Sequence, residues 1–271
     1  MNATNTLSID DVVGMKPAGE KITVLTAYDA SMTRHLENAG VEVILVGDSL
    51  GMVVQGHDST LPVSVEDMIY HCGMVARARQ RALLIVDMPY HSYTTAEEAR
   101  DNARRLMDEG GADMVKLEGA GPVLEAIQAI LDDDIPVCGH LGLLPQSIEE
   151  LGGYKVQGRE QAAADKMLAD ALDLQVAGVN MVVLECIPSI LGKHLTAALS
   201  MPTIGIGAGP DCDGQVLVLY DLLGLTPGKR PKFSKDFLSE LGEGKGITDA
   251  VRAYVEAVKS GKFPAPEHGF K

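Results

Sequence analysis

Eight short apolar runs, separated by longer segments with helical periodicity, constrain the fold of this chain more than any other feature. The runs are Ile22 to Leu25, Val43 to Val46, Leu83 to Val86, Met114 to Leu117, Ile135 to Cys138, Met181 to Leu184, Thr203 to Ile206 and Val216 to Leu219. Strands that are apolar on both faces and alternate with helices indicate a parallel sheet covered by helices. Eight such units in 271 residues are typical of an α/β protein with a (β/α)8 TIM barrel.

The alternative is an open, doubly wound sheet. That fold favours a GxGxxG motif after the first strand, and none follows Leu25. We therefore expect one barrel domain over residues 1–271. This domain would include a short helical lead from Ile9 to Met15 before the first strand and a helical appendage from about Thr248 to Val258 after the last strand.

Helix signals mark the segments between the runs. Thr95 with Glu98, and Ser64 with Asp67, have the spacing of capping boxes. The longest helical segment, residues 160 to 175, ends before Gly178, as glycine at a helix C-terminus predicts.

Charge and cysteine content limit the possible partners. The net charge of −15 repels phosphate backbones and anionic lipid, so we expect binding to neither nucleic acid nor membrane. No apolar run is long enough to span a bilayer, and the N-terminus lacks a basic start followed by an apolar stretch, which predicts a cytoplasmic protein. The four cysteines are scattered, which favours buried or free thiols in a reducing compartment over a zinc site.

Titratable residues stand at the C-terminal ends of five consecutive runs: Asp48, Asp87, Lys116 with Glu118, His140 and Glu185. Any one of them could be structural, as a turn residue, an ion pair or a core histidine. Catalytic groups of a (β/α)8 barrel gather at the C-terminal face. Because all six fall on that rim, the pattern favours chemistry.

Three carboxylates, those of Asp48, Asp87 and Glu118, would converge on one spot and repel one another. A divalent cation removes the conflict, and an all-oxygen ligand set suits Mg²⁺ or Mn²⁺ better than zinc. A metal with open positions can chelate a 2-oxo acid and acidify the carbon beside its carbonyl. The pattern therefore indicates enolate chemistry.

The remaining groups then have predicted roles. Lys116 would neutralise the substrate carboxylate or the enolate oxygen, and His140 would donate a hydrogen bond to the same oxygens. Glu185 would take and return the proton. The glycines between Gly205 and Gly209 are compatible with phosphate binding or with loop packing, and the loop at His57 and Asp58 with a lid or a solvated turn.

Nearly the whole chain resembles the ketopantoate hydroxymethyltransferase family. The matching stretches are TAYDAS (26–31), VGDSLGMVVQGHDSTLPV (46–63), DMPYHSY (87–93), MVKLEG (114–119), VCGHLGLLPQS (137–147), GGYKVQGR (152–159), LECIP (184–188), IGIGAGPDCDGQVLV (204–218) and EHGF (267–270). The second of these is long enough to be highly specific. Two departures, Leu144 in place of Thr and Tyr90-His91 in place of a Phe-led pair, lie outside the predicted metal ligands.

The resemblance implies a barrel of the phosphoenolpyruvate/pyruvate type. It implies hydroxymethyl transfer from 5,10-methylenetetrahydrofolate to 3-methyl-2-oxobutanoate, which gives 2-dehydropantoate and tetrahydrofolate in pantothenate synthesis, with Mg²⁺ as cofactor. Bacterial members form decamers of two stacked pentamers. Family metal contacts fall on Asp48, Asp87 and Glu118, substrate contacts on Asp48, Ser49, Asp87, Lys116 and His140, and the proton acceptor on Glu185.

Two alternatives to this function stay open. A metal-dependent lyase of the same barrel type would cleave a 2-oxo or 2-hydroxy acid without folate. A non-catalytic barrel that senses oxo acids would bind metal and ligand without chemistry. No short sequence motif identifies the folate-binding residues.

Overall fold

A closed barrel of eight parallel strands in chain order forms the centre of the protein. The computed structural model describes residues 6–148, 153 and 155–271, so part of the GGYKVQGR stretch lies outside the described residues. The strands are β1 Ile22–Thr26, β2 Val43–Val46, β3 Leu83–Asp87, β4 Met114–Glu118, β5 Val137–Gly142, β6 Met181–Glu185, β7 Thr203–Ile206 and β8 Gly214–Leu217. The predicted TIM barrel is confirmed.

Helices surround this barrel. They are α1 Ile9–Gly14, α2 Ala30–Ala39, α3 Leu50–Val53, α4 Val65–Ala78, α5 Ala96–Asp108, α6 Leu124–Leu131, α7 Gln161–Ala177, α8 Ser189–Ala198, α9 Leu219–Leu222 and α10 Ile247–Lys259. Short 3-10 helices cover Gly121–Val123, Pro145–Ser147 and Pro266–His268. In the described part of the chain, none of the helices has both the length and the apolar character that a bilayer crossing requires.

Two strands, β5 and β8, are shifted from the predicted runs, whereas β1, β3, β4 and β6 only end one residue later than their runs. The predicted run Ile135 to Cys138 starts too early, because Pro136 has no N–H for a strand ladder, and β5 extends instead to Gly142. The predicted run Val216 to Leu219 ends too late, because Leu219 already begins α9. The first shift has a functional consequence, since it places His140 inside β5, opposite Glu118 of β4.

The capping predictions are confirmed in one case and corrected in the other. Ser64 and Asp67 bond reciprocally and form a complete capping box at α4. Thr95 accepts a hydrogen bond from the Glu98 N–H at α5, but the Glu98 carboxylate accepts from the N–H of Thr94 rather than from that of Thr95. This second motif is therefore only half of a capping box.

Strand alternation separates two apolar regions. Val115 and Leu117 of β4 pack outward in the large core between strands and helices, whereas Met114 packs inside the barrel. Lys116 and Glu118 share the inward face with Met114, as the alternation predicts.

The N-terminal end of the barrel is closed by α1. Val12 of this helix is fully buried and packs against the interior apolar cluster. Beside it, the Lys16 ammonium lies 2.8 Å from the Asp213 carboxylate, which also accepts hydrogen bonds from Thr203. The open hollow is therefore at the C-terminal end.

Helix α10 packs against α2 and β1. Its Tyr254 is fully buried, and the hydroxyl lies 3.1 Å and 2.7 Å from the carbonyl oxygens of Val24 and Gln215. After α10 the chain returns to the C-terminal rim, where the N–H of Ser189 donates to the carbonyl of Phe270. The C-terminal segment thus supports the loop after β6.

Candidate active site

The predicted titratable residues meet at the C-terminal ends of β2 to β6. All are buried or nearly so: Asp48, Asp87, Lys116, Glu118 and His140 are at most 5% exposed, and the Glu185 side chain is 13% exposed. Parallel strands in a closed barrel direct their C-terminal ends toward one hollow. The structure therefore brings together all six residues that the sequence pattern singled out.

Lys116 and Asp87 form a buried ion pair at the floor of the hollow. The Lys116 Nζ lies 2.8 Å from Asp87 Oδ1, and Asp87 Oδ2 accepts a 2.9 Å hydrogen bond from the backbone N–H of Asp48. Burial alone would lower the pKa of Lys116, but the charges of the neighbouring acids raise it above its usual value. The lysine therefore stays protonated and supplies a positive centre in an acidic protein.

Asp48 lies where a negative charge is unfavourable. Burial raises the pKa of its carboxyl well above the usual value, and the charges of Asp87 and Glu118 raise it further. The positive charge of Lys116 and a hydrogen bond from Gln146 oppose this effect. A cation bound here would relieve the repulsion.

His140 lies between two carboxylates. Its Nε2 is 3.2 Å from Glu185 Oε2, and its Nδ1 is 3.4 Å from Glu118 Oε1. Burial and the charge of Lys116 lower the pKa of the imidazole, but the two glutamates outweigh them and raise it to about 9. Protonated His140 can therefore donate to a ligand, and its buried Nε2 has no well-aligned hydrogen-bond partner in the described part of the chain.

Three further site residues were not predicted from the residue pattern. Gln146 is buried and donates hydrogen bonds to Asp48 and Glu118. The Tyr93 hydroxyl donates to the Gln146 side-chain oxygen, and the Tyr28 hydroxyl lies 2.9 Å from Ser49 Oγ. All three lie within stretches that carry the family resemblance, but polar residues in loops give no signal by type and spacing alone.

The glycines after β7 have a packing role. A Cβ at Gly207 would lie 2.9 Å from the Phe270 ring, and one at Gly209 would lie 2.6 Å from the Ser189 Cβ. These contacts support the loop-packing alternative, and phosphate binding at this loop stays a prediction. His57 and Asp58 are exposed in the loop after α3, and the lid function also stays a prediction.

The possible metal ligands of the site have the chemistry that suits a hard divalent cation. Asp48, Asp87 and Glu118 offer only oxygen ligands, and Asp87 Oδ1 is buried without an aligned hydrogen bond. With the side chains as they lie, the described residues contain no group of three or more His, Cys, Asp or Glu arranged to hold a metal ion. Binding by all three acids would therefore require at least one of their side chains to move.

Two of the four cysteines adjoin the polar groups of the site, because Cys138 lies opposite Lys116 in the β4–β5 register and Cys186 follows Glu185. All four are free and buried. Burial raises the pKa of Cys72 and Cys138 to about 12 and that of Cys212 to about 11. The prediction of buried thiols is confirmed, and these three thiols stay protonated at neutral pH.

Solved structures define the class of fold. The chain is similar to phosphonopyruvate hydrolase, with a TM-score of 0.62 and 13% identity over 94% of this chain and 99% of that one. It is also similar to 2,3-dimethylmalate lyase, described as a member of the PEP mutase/isocitrate lyase superfamily, with a TM-score of 0.61 and 12% identity over 96% of this chain and 100% of that one. At these identities the likeness shows the fold alone, which is the predicted (β/α)8 barrel.

Sequence comparison defines the family. The family model for ketopantoate hydroxymethyltransferase matches residues 6–266. A 3-methyl-2-oxobutanoate hydroxymethyltransferase from Alkalilimnicola ehrlichii is 56% identical over 94% of this chain and 91% of its own length. Another, from Geobacter sulfurreducens, is 53% identical over the full length of both chains. The chain belongs to the ketopantoate hydroxymethyltransferase family, as the sequence resemblance implied.

Proposed function

We propose that this chain transfers a hydroxymethyl group to 3-methyl-2-oxobutanoate. The donors are 5,10-methylenetetrahydrofolate and water, and the products are 2-dehydropantoate and tetrahydrofolate, in pantothenate biosynthesis. One observation carries the proposal. In this chain, which belongs to the family, Glu185 Oε2 lies 3.2 Å from His140 Nε2, beside a buried cluster of acids that contains one lysine. This arrangement provides a base, a positive centre and oxygen ligands in one hollow.

Positive groups would bind the substrate. The ammonium of Lys116 and the Nε2 of His140, which lies 3.2 Å from Glu185 Oε2, are on neighbouring strands β4 and β5 and are both buried. They suit the carboxylate and keto oxygens of a 2-oxo acid, because charged hydrogen bonds are strong where water is excluded. Asp48, Asp87 and the hydroxyl of Ser49, held by Tyr28, would complete the substrate contacts.

Mg²⁺ would be held by Asp48, Asp87 and Glu118. When bound, it would polarise the substrate carbonyl and make the C3 proton more acidic. The raised pKa of Asp48 and the all-oxygen donor set support this assignment. A phosphonopyruvate hydrolase with the same fold, 12% identical to this chain with a TM-score of 0.60, was solved with oxalate and Mg²⁺.

Glu185 would move the proton. Its side chain lies at the end of β6, more exposed than the other acids of the site, where a substrate bound to Lys116 and His140 can reach it. Glu185 takes the proton from C3, and Lys116 and His140 stabilise the developing negative charge on the keto oxygen. The resulting carbon nucleophile forms a bond to the methylene carbon of the folate. Both C–N bonds to that carbon break, water supplies the hydroxyl, and the C3 proton and the second proton of water end on the two folate nitrogens.

Exchange of the C3 proton in deuterated water tests this function. With Mg²⁺ and 3-methyl-2-oxobutanoate alone, we expect the methyl doublet in the proton NMR spectrum to collapse to a singlet. Adding 5,10-methylenetetrahydrofolate should then give 2-dehydropantoate. Cleavage of a 2-oxo acid without folate would favour the lyase. Binding of metal and 3-methyl-2-oxobutanoate without C3 exchange would favour the non-catalytic sensor.

The assembly and location rest on the family resemblance. We propose a cytoplasmic decamer of two pentamers, built from one barrel domain per chain. Light scattering after size-exclusion chromatography measures the mass, and a monomer would contradict the decamer.

A further inference from the structure

One residue outside the predicted set, Gln146, bonds to two of the three acids. Its side-chain Nε2 donates to Asp48 Oδ2 at 2.8 Å, and its backbone N–H donates to Glu118 Oε2 at 3.0 Å. The two acids come from different strands, β2 and β4, while Gln146 lies in the short 3-10 helix after β5. Gln146 therefore connects three separate parts of the rim.

The orientation of the Gln146 amide is fixed from both ends. The carbonyl oxygen of Met88 accepts a second hydrogen bond from Nε2 at 3.0 Å, and Oε1 accepts one from the hydroxyl of Tyr93. Burial raises the pKa of the Tyr93 phenol, so it stays a protonated donor. With both N–H groups and the oxygen in use, the amide cannot flip without losing all three bonds.

We propose that Gln146, held by Tyr93, is a positioning residue that fixes Asp48 and Glu118 in the orientation needed to bind the divalent cation. The inference rests on the proposed function. Each acid uses one oxygen in its bond to Gln146, so Asp48 Oδ1 and Glu118 Oε1 are outside those bonds, and Glu118 Oε1 lies 3.4 Å from His140 Nδ1. Residues that hold metal ligands by hydrogen bonds typically change metal affinity by about 10- to 100-fold when replaced.

Titration of the metal-free protein with Mn²⁺ alone, by calorimetry, tests the inference without measuring activity. Gln146→Met keeps the approximate volume and the backbone N–H but removes the side-chain donors to Asp48 and Met88. We expect Mn²⁺ to bind about 10- to 100-fold more weakly than to the wild type.

Gln215→Met is the matched control. Gln215 is also a buried glutamine, 3% exposed, and its Nε2 donates to the carbonyl of Gly209, away from the acids. Gln146→Met loses the side-chain hydrogen bonds to Asp48, Met88 and Tyr93, and Gln215→Met loses the one to Gly209, so both should lower the melting temperature. Only Gln146→Met should change the Mn²⁺ affinity, and this distinguishes positioning from a merely structural role.

Tyr93→Phe tests the second part of the inference. Because Tyr93 acts through Gln146, we expect a smaller loss of Mn²⁺ affinity than in Gln146→Met. In the double variant, Tyr93→Phe should then add no further loss. Independent, multiplicative effects would show that Tyr93 acts by another route and would overturn its role.

The remaining outcomes separate the inference from the proposed function. If the wild type binds Mn²⁺ and Gln146→Met binds it with the same affinity, the positioning role is overturned and the proposed function stays intact. An equal loss of affinity in Gln215→Met would also overturn it. Absence of Mn²⁺ binding in the wild-type protein would overturn the metal assignment and this inference together.

Discussion

The two ends of the barrel differ in how a buried lysine is paired with carboxylates. At the N-terminal end, the ammonium of Lys16 lies beside one carboxylate, that of Asp213, whose oxygen also accepts hydrogen bonds from Thr203. At the C-terminal end, the ammonium of Lys116 lies among three carboxylates that repel one another. The first arrangement pairs one carboxylate with one ammonium, whereas in the second, burial and the neighbouring acids raise the pKa of Asp48 well above its usual value.

This difference separates stability from function. Barrels of this class keep their active sites at the C-terminal face and use the opposite face for stability. The N-terminal face, closed by α1, should therefore respond to substitution with changes in unfolding free energy. The C-terminal face should respond with changes in chemistry and in pH dependence.

The largest expected effect belongs to Glu185 at the C-terminal end. Glu185→Gln removes the base but keeps the shape, so C3 proton exchange should slow by about 10²- to 10⁴-fold. Binding of 3-methyl-2-oxobutanoate should change much less, as measured by calorimetry in the presence of Mg²⁺. Exchange at the wild-type rate would remove Glu185 as the base.

A second effect concerns the pH dependence of stability. The pKa of His140 is raised in the folded protein to about 9 from an unfolded value of 6.5, so its contribution is fully present below pH 6.5 and is lost as pH rises through about 9. The wild type should lose on the order of 2 to 3 kcal/mol of unfolding free energy across this interval because of His140. His140→Asn should not show this loss. Urea unfolding of both metal-free proteins at pH 6 and pH 9.5 measures the difference, and parallel pH profiles would contradict the raised pKa.

At the N-terminal end, Val12→Ala should change stability alone. Val12 is fully buried against the barrel interior, so the variant should lose about 2 kcal/mol of unfolding free energy. The rate of C3 exchange per folded molecule should equal that of the wild type. A slower rate in fully folded protein would show that the two ends are coupled.

The smallest expected effect is that of Lys16→Met. The Lys16 and Asp213 side chains are 15% and 14% exposed, and Asp213 keeps its hydrogen bonds from Thr203 in the variant. We expect a loss of about 1 kcal/mol in urea unfolding and no change in C3 exchange. A loss as large as that of Val12→Ala would show that this end depends on charge as much as on packing.

The sequence predicts the barrel and the principal site residues for physical reasons. Strands buried on both faces leave continuous apolar runs, and residues that follow such runs must lie at one rim, so Asp48 and Glu185 were found without coordinates. The limits of β5 were not predicted, because Gly139, His140 and Gly142 lack the apolar character that marks a strand. Gln146 was missed because it follows Pro145 in a loop, and only tertiary contacts give it a special environment.

Ring closure depends on the pairing of β1 with β8, where Ile22 lies opposite Gly214. A Cβ at Gly214 would lie 2.5 Å from the carbonyl oxygen of Ile22, so glycine is needed for the first and last strands to approach. During synthesis, every proposed catalytic and ligand residue through Glu185 leaves the ribosome before Gly214 does. A sheet formed before the final strand emerges would carry these acids while open, with two unpaired edges that favour association.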